Sequence, residues 1–80
     1  MNYRLGPGEI SYFVNALKKD TPSSEVAANL RRVGSAVGPH ALLVAEVLFD
    51  IDLSDILLNR PSAEFVSADA YYIFSLAKRV

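Results

Sequence analysis

The stretch Ala41-Leu42-Leu43-Val44-Ala45-Glu46-Val47-Leu48-Phe49 carries a single charge, Glu46, in nine residues. Read as a helix, it has apolar side chains nearly all round. Such a helix sits in the middle of a bundle or against another chain. Read as a buried strand, it would suit Val44, Val47 and Phe49, but a lone strand with no partner is unstable. The helical reading makes 41–49 the axis that the rest of the chain wraps.

Proline and glycine punctuate the chain on both sides of this axis. Gly6-Pro7-Gly8, Asp20-Thr21-Pro22-Ser23, Gly38-Pro39 and Asn59-Arg60-Pro61-Ser62 mark the breaks. Between them the apolar spacing is helical. Ile10, Phe13, Val14 and Leu17 follow i, i+3, i+4, i+7 and predict a helix over 9–19 behind an N-terminal arm of residues 1–8. Lys18 and Lys19 fall in its last turn, where cations favour the dipole. Thr21 is a candidate N-cap with Pro22 at the first helical position. Val26, Leu30, Val33 and Val37 then stripe a helix over 22–37, which Gly38 ends in a left-handed cap. Pro39 opens the central helix, 40–50. Asp52 or Ser54 can cap a short helix over 53–59, which holds Leu53, Ile56 and Leu57. Ser62 caps a last helix, 62–79, striped by Val66, Ala70, Ile73, Ala77 and Val80 and widened by Phe65, Tyr72 and Leu76. The expected fold is all-α, a single compact bundle of about five short helices.

The chain has 80 residues, enough for one domain. A body this small buries only about 60–65 % of its unfolded surface. Yet 51 % of its residues are hydrophobic, with mean hydropathy +0.22. Apolar residues in excess of the available interior point to a partner surface. The absence of cysteine excludes disulfides, thiolate metal sites and thiol catalysis. A small secreted domain usually needs such staples, so a cytoplasmic protein is expected. Met1-Asn2-Tyr3-Arg4 leads into Gly6-Pro7-Gly8 with no apolar segment, which argues against a signal peptide. No run approaches the roughly 20 apolar residues that cross a bilayer, so no membrane partner is expected. Net charge −1 and a pI near 5.7 argue against a chain devoted to phosphate backbones.

Several constellations carry possible chemistry. Val47-Leu48-Phe49-Asp50-Ile51-Asp52-Leu53-Ser54 resembles the first motif of the haloacid dehalogenase superfamily, an apolar strand followed by Asp-x-Asp. The resemblance implies Asp50 as nucleophile, Asp52 as acid/base and a Mg²⁺ between them. It covers about eight residues. That family also needs a doubly wound sheet and downstream motifs, for which residues 55–80 leave no room. The same acids fail as a calcium loop. Asp55 stands where the turn requires Gly, and Pro61 where a bidentate Glu is needed. Asp50, Asp52 and Asp55 therefore read as an exposed acidic corner between helices. His40, the only histidine, has no second histidine or cysteine to share a metal and reads as a surface or capping residue. Gly6-Pro7-Gly8 lacks the Lys-Ser/Thr of a phosphate cradle. No cofactor and no enzymatic activity are expected.

Residues 22–50 have a helix-turn-helix outline. A recognition helix is polar and basic on its outer face, whereas 40–50 is apolar and carries Glu46 and Asp50. Duplex binding would instead use Lys18, Lys19, Arg31 and Arg32 on the first helical hairpin. The last helix has aromatics on two sides, Phe65 and Tyr72 on one and Tyr71 and Phe74 on another. The expectation is a non-enzymatic module that binds another protein or itself through Tyr71 and Phe74, with Asp50, Asp52 and Asp55 as a rim. Such a chain suits a small regulator or inhibitor of phage or mobile-element origin. The alternative is a DNA-binding regulator working through the four cations.

Overall fold

Pro39 sets the start of the central helix. Its ring disfavours the helical region at the preceding residue, and Gly38 is extended (φ −67°, ψ 152°) as the N-cap. The helix runs Pro39–Phe49 and ends at Asp50, whose left-handed backbone (φ 54°, ψ 53°) turns the chain. In the computed structural model, which describes residues 5–78 and the backbone alone of Ser35, this is α3 of four α-helices. The others are α1 (Pro7–Lys18), α2 (Ser23–Val33) and α4 (Val66–Lys78). No strand occurs among the described residues, so the strand reading of 41–49 is excluded.

Each boundary has a local cause. At α1, Gly6 is the N-cap and its amide donates to the Glu9 carboxylate (2.8 Å), so the helix begins at Pro7. It ends in a Schellman motif. Asp20 is left-handed, Thr21 N–H donates to Ala16 C=O, and Asp20 N–H donates to Leu17 C=O. Pro22 is the N-cap of α2, one place later than Thr21, and it has no side chain to cap with. α2 stops at Val33, not 37. Gly34 takes the positive φ (52°), and a 3₁₀ turn, Gly34–Ala36, leads to Val37. The glycine that stops α2 is Gly34, because Gly38 must stay extended before Pro39.

The expected helix over 53–59 does not form. Leu53 C=O accepts from Ile56 and Leu57 N–H, which makes one turn, and the rest of 50–65 is irregular. Asp52 takes the Ser54 amide with its own carboxylate (2.9 Å), an N-cap bond that here heads only this single turn. Ser62 likewise accepts from Glu64 N–H, two residues on, and α4 begins only at Val66. Five expected helices become four helices and a strap. The first part of the expected arm, residues 1–4, and the stripe position Val80 lie outside the described residues.

The strap still delivers the side chains that its apolar pattern assigned to the core. Leu53 and Leu57 are buried beside Phe13, Val26, Val44 and Ile73. α4 packs against α1 and α3, and α2 packs on α3. Phe13 reaches Phe49 with ring centroids 6.0 Å apart, closing the core at the C-terminal end of α3. No helix among the described residues is long and apolar enough to cross a membrane.

Leu53 is 0 % exposed and Leu58, five residues along the same strap, is 81 % exposed. Leu53→Ala is expected to cost about 3 kcal/mol, by lost transfer energy and a cavity. Leu58→Ala is expected to stay within about 0.5 kcal/mol of the parent. Urea unfolding of the two variants checks the difference; equal effects would mean that the strap is not seated on the core.

Candidate interaction surface

The acidic corner and the basic face meet. Arg31, on the outer side of α2, donates through Nε and Nη2 to the Asp55 carboxylate (2.8 and 3.2 Å). Its Nη2 also donates to the Asp52 carbonyl (3.0 Å). Arg31 therefore clamps the strap to α2. The Arg31 guanidinium holds the Asp55 carboxyl below its ordinary value, and Asp55 raises Arg31 in return. Asp52 is also lowered, by its bonds from the Ser54 hydroxyl and amide. Exposed pairs of this kind contribute little stability. Their effect on the surface potential is larger, because an acid and a base expected on separate surfaces largely cancel.

Asp50 is exposed and its backbone ends α3. The apolar run before it is helical, so the strand that the dehalogenase resemblance implies is missing. Arg32 donates to the Asn29 side-chain oxygen (2.6 Å). Lys18 and Lys19 are exposed, with no ion pair found for either among the described residues. Of the four cations expected on a duplex-binding face, Arg31 is already neutralised. Among the described residues no group of three or more His, Cys, Asp or Glu is placed to hold a metal ion.

A second clamp lies outside every constellation read from the sequence. Glu46 is mostly buried, with 14 % of its side chain exposed. It accepts from Arg60 Nη1 and Nη2 (2.9 and 3.1 Å) and from the Leu53 amide (2.7 Å). Arg60 also reaches the Ser54 hydroxyl (3.1 Å). The Arg60 guanidinium lowers the Glu46 carboxyl, against the opposing push of burial, and the Leu53 amide adds to the lowering. The signal in the sequence is the lone acid of an otherwise apolar helix, since a charge taken out of water needs partners.

His40 also differs from its expected surface role. Its Nε2 lies 2.6 Å from an Asp69 carboxylate oxygen, and both side chains are mostly buried. The pair ties the first turn of α3 to α4. Nothing in the spacing of residues 40 and 69 announces it.

Beside the aliphatic Val33, Val47 and Leu58, the large hydrophobic side chains that face out are aromatic. Tyr71 is 74 % exposed, Tyr72 53 % and Phe74 45 %. Val66, Ala70 and Ile73 turn the opposite side of α4 into the core. Tyr71 and Phe74 flank that buried stripe on one side. Tyr72 flanks it on the other and lines a small cleft with Leu5, Ile10 and Asp69. Lys78 Nζ sits 4.6 Å over the Phe74 ring, an added cation–π contact. A separate apolar groove of about 350 Å³ lies between α1 and α2, lined by Tyr12, Phe13, Leu30 and Val33. Its edge is a short polar relay in which Asn29 donates to the Tyr12 hydroxyl (3.2 Å).

The lowered Glu46, Asp52 and Asp55 give a pH dependence of known sign. A carboxyl whose folded value is depressed contributes stability above its unfolded value and loses it as pH falls through the folded one. Stability is therefore expected to decline below about pH 4. Arg60→Gln should lower stability at neutral pH and make this acid decline shallower. Urea unfolding at neutral pH and at about pH 3 tests both; an undiminished decline in the variant would mean that the clamp does not form in solution.

In comparisons with known proteins, no family model, no curated protein and no solved structure matches this chain.

Proposed function

We propose that the chain is a non-enzymatic, protein-binding module whose contact surface is the outer side of α4. One observation carries this reading. An ordered helix presents Tyr71 three-quarters exposed, with Phe74 one turn away and half-exposed. Large aromatics give up little conformational freedom on binding and dominate interface energetics where they are found. The polar side chains support the same reading from the other direction. Arg31, Glu46, Arg60, Asp52 and Asp55 are occupied within the molecule, and Asp50 is the exposed member of the expected rim outside these bonds. A small protein that covers part of a partner's surface acts as a regulator or inhibitor, and that is the class proposed, acting in the cytoplasm.

Tyr71→Ala and Phe74→Ala are each expected to weaken partner binding or self-association by at least about tenfold, the effect of removing an aromatic hot spot. The far-ultraviolet helical signal should survive, since neither side chain is part of the core. Sedimentation and affinity capture read the first effect and circular dichroism the second. If both variants sediment and capture like the parent, α4 is not the contact surface.

A further inference from the structure

Ser67, Tyr71, Phe74 and Lys78 recur along α4 at intervals of four, three and four residues. All four are exposed. At about 100° per residue they fall on one strip of the helix, beside the buried stripe of Val66, Ala70 and Ile73. Intervals of four and three are the a/d spacing of a helix that packs lengthwise on another helix. Within the chain α4 already packs on α1 and α3, and these two neighbours leave the strip uncovered.

We propose that the strip is covered by a second copy of the chain, the two α4 helices pairing antiparallel about a twofold axis between residues 72 and 73. This rests on the protein-binding reading of α4 and names its partner. Three features of the strip select that partner and that direction.

The first is self-complementarity. The pairs 67 with 78 and 71 with 74 share one midpoint, so an antiparallel twofold lays the strip onto itself. Tyr71 of each copy meets Phe74 of the other, and Ser67 meets Lys78. Every contact is then made twice, as an isologous interface requires. Offset or edge-to-face aromatic pairs form at the centre without any other element being needed.

The second is charge. A parallel pairing would set Lys78 beside Lys78. The antiparallel one parts the two lysines to opposite ends of the pair. Asp69, the acid of the first turn, is held by His40 and takes no part. Antiparallel helices also oppose their macrodipoles.

The third is the position of Lys78. Its ammonium lies over the Phe74 ring, so its apolar stem runs along the strip instead of out into solvent. Association removes water from this contact, which strengthens a cation–π interaction.

Area sets the expected strength. An aromatic side chain offers about 150–250 Å², so Tyr71 and Phe74 at their present exposure contribute on the order of 250 Å² per copy. With Ser67, Lys78 and flanking atoms the total is on the order of 800 Å², below the roughly 1,200 Å² of a stable complex. An interface of that size is weak.

The chain has no cysteine, so single introduced thiols report geometry cleanly. Ser67→Cys and Lys78→Cys variants of the full chain, mixed and oxidised, are expected to give mainly the heterodimer, in which a disulfide joins position 67 of one copy to position 78 of the other. Each variant alone should cross-link several-fold less. Sedimentation equilibrium up to millimolar concentration should show a dimer that Tyr71→Glu abolishes, with helical content unchanged in all variants by circular dichroism. A parent that stays monomeric at millimolar concentration overturns the proposal. So does preferential cross-linking of Lys78→Cys to itself, the mark of a parallel pair. If the parent is monomeric but Tyr71 is still required to capture a different protein, self-pairing is wrong and the protein-binding reading stands.

Discussion

Everything in this molecule depends on covering α3. Ala41, Leu42, Leu43, Val44 and Ala45 are five consecutive buried residues. At about 100° per residue they point in every direction round the helix axis. Burying them all requires neighbours on all sides. α4 supplies one wall and α2 another. Phe13 of α1 closes the end at Phe49. In a chain this short the last side falls to the irregular strap, through Leu53 and Leu57.

Holding an irregular strap against a core is costly, because its backbone gives up conformational freedom at about 1–2 kcal/mol per residue without the regular bonds of a helix. Two buried leucines at roughly 2 kcal/mol each offset only part of that cost. The charged clamps make up for direction what they lack in energy. Glu46 receives the Leu53 amide and both terminal nitrogens of Arg60. Arg31 grips Asp55 and the Asp52 carbonyl from α2. The one charge in the apolar stretch is thus the hook on which the strap hangs.

The helical class and most of the core are legible in the sequence because periodicity reports burial directly. Phe13, Val26, Leu30, Val66 and Ile73 all lie on stripes visible in the sequence, and all are buried. Leu53 and Leu57 belong to the core as their spacing predicts, but they sit on a single turn, which presents the same spacing as a short helix. The misplaced ends share a cause. Gly34 and Gly38 both suit a helix stop, and Pro39 decides between them by its effect on the residue before it. Ser62 and Asp52 each make the N-cap bond to the amide two residues ahead, but Asp52 is followed by a single turn and the helix after Ser62 begins only at Val66. Such choices turn on small energy differences and on tertiary contacts that a linear pattern does not contain. The same holds for Arg31 with Asp55 and His40 with Asp69, which lie 24 and 29 residues apart.

The exposed aromatics follow from the same geometry. α4 must turn Val66, Ala70 and Ile73 inward to wall α3, and this orientation fixes which residues face out. A helix built only to serve the core would carry polar residues at those outward positions. Tyr71, Tyr72 and Phe74 stand there instead, while charged side chains that could have clothed the surface are drawn into clamps on the strap. Exposed apolar atoms are ordinary on any protein, and a single tyrosine requires no explanation. A strip repeating at four and three residues, with its lysine laid along an aromatic ring, is a different matter, because that spacing does nothing for a helix whose core face is already filled.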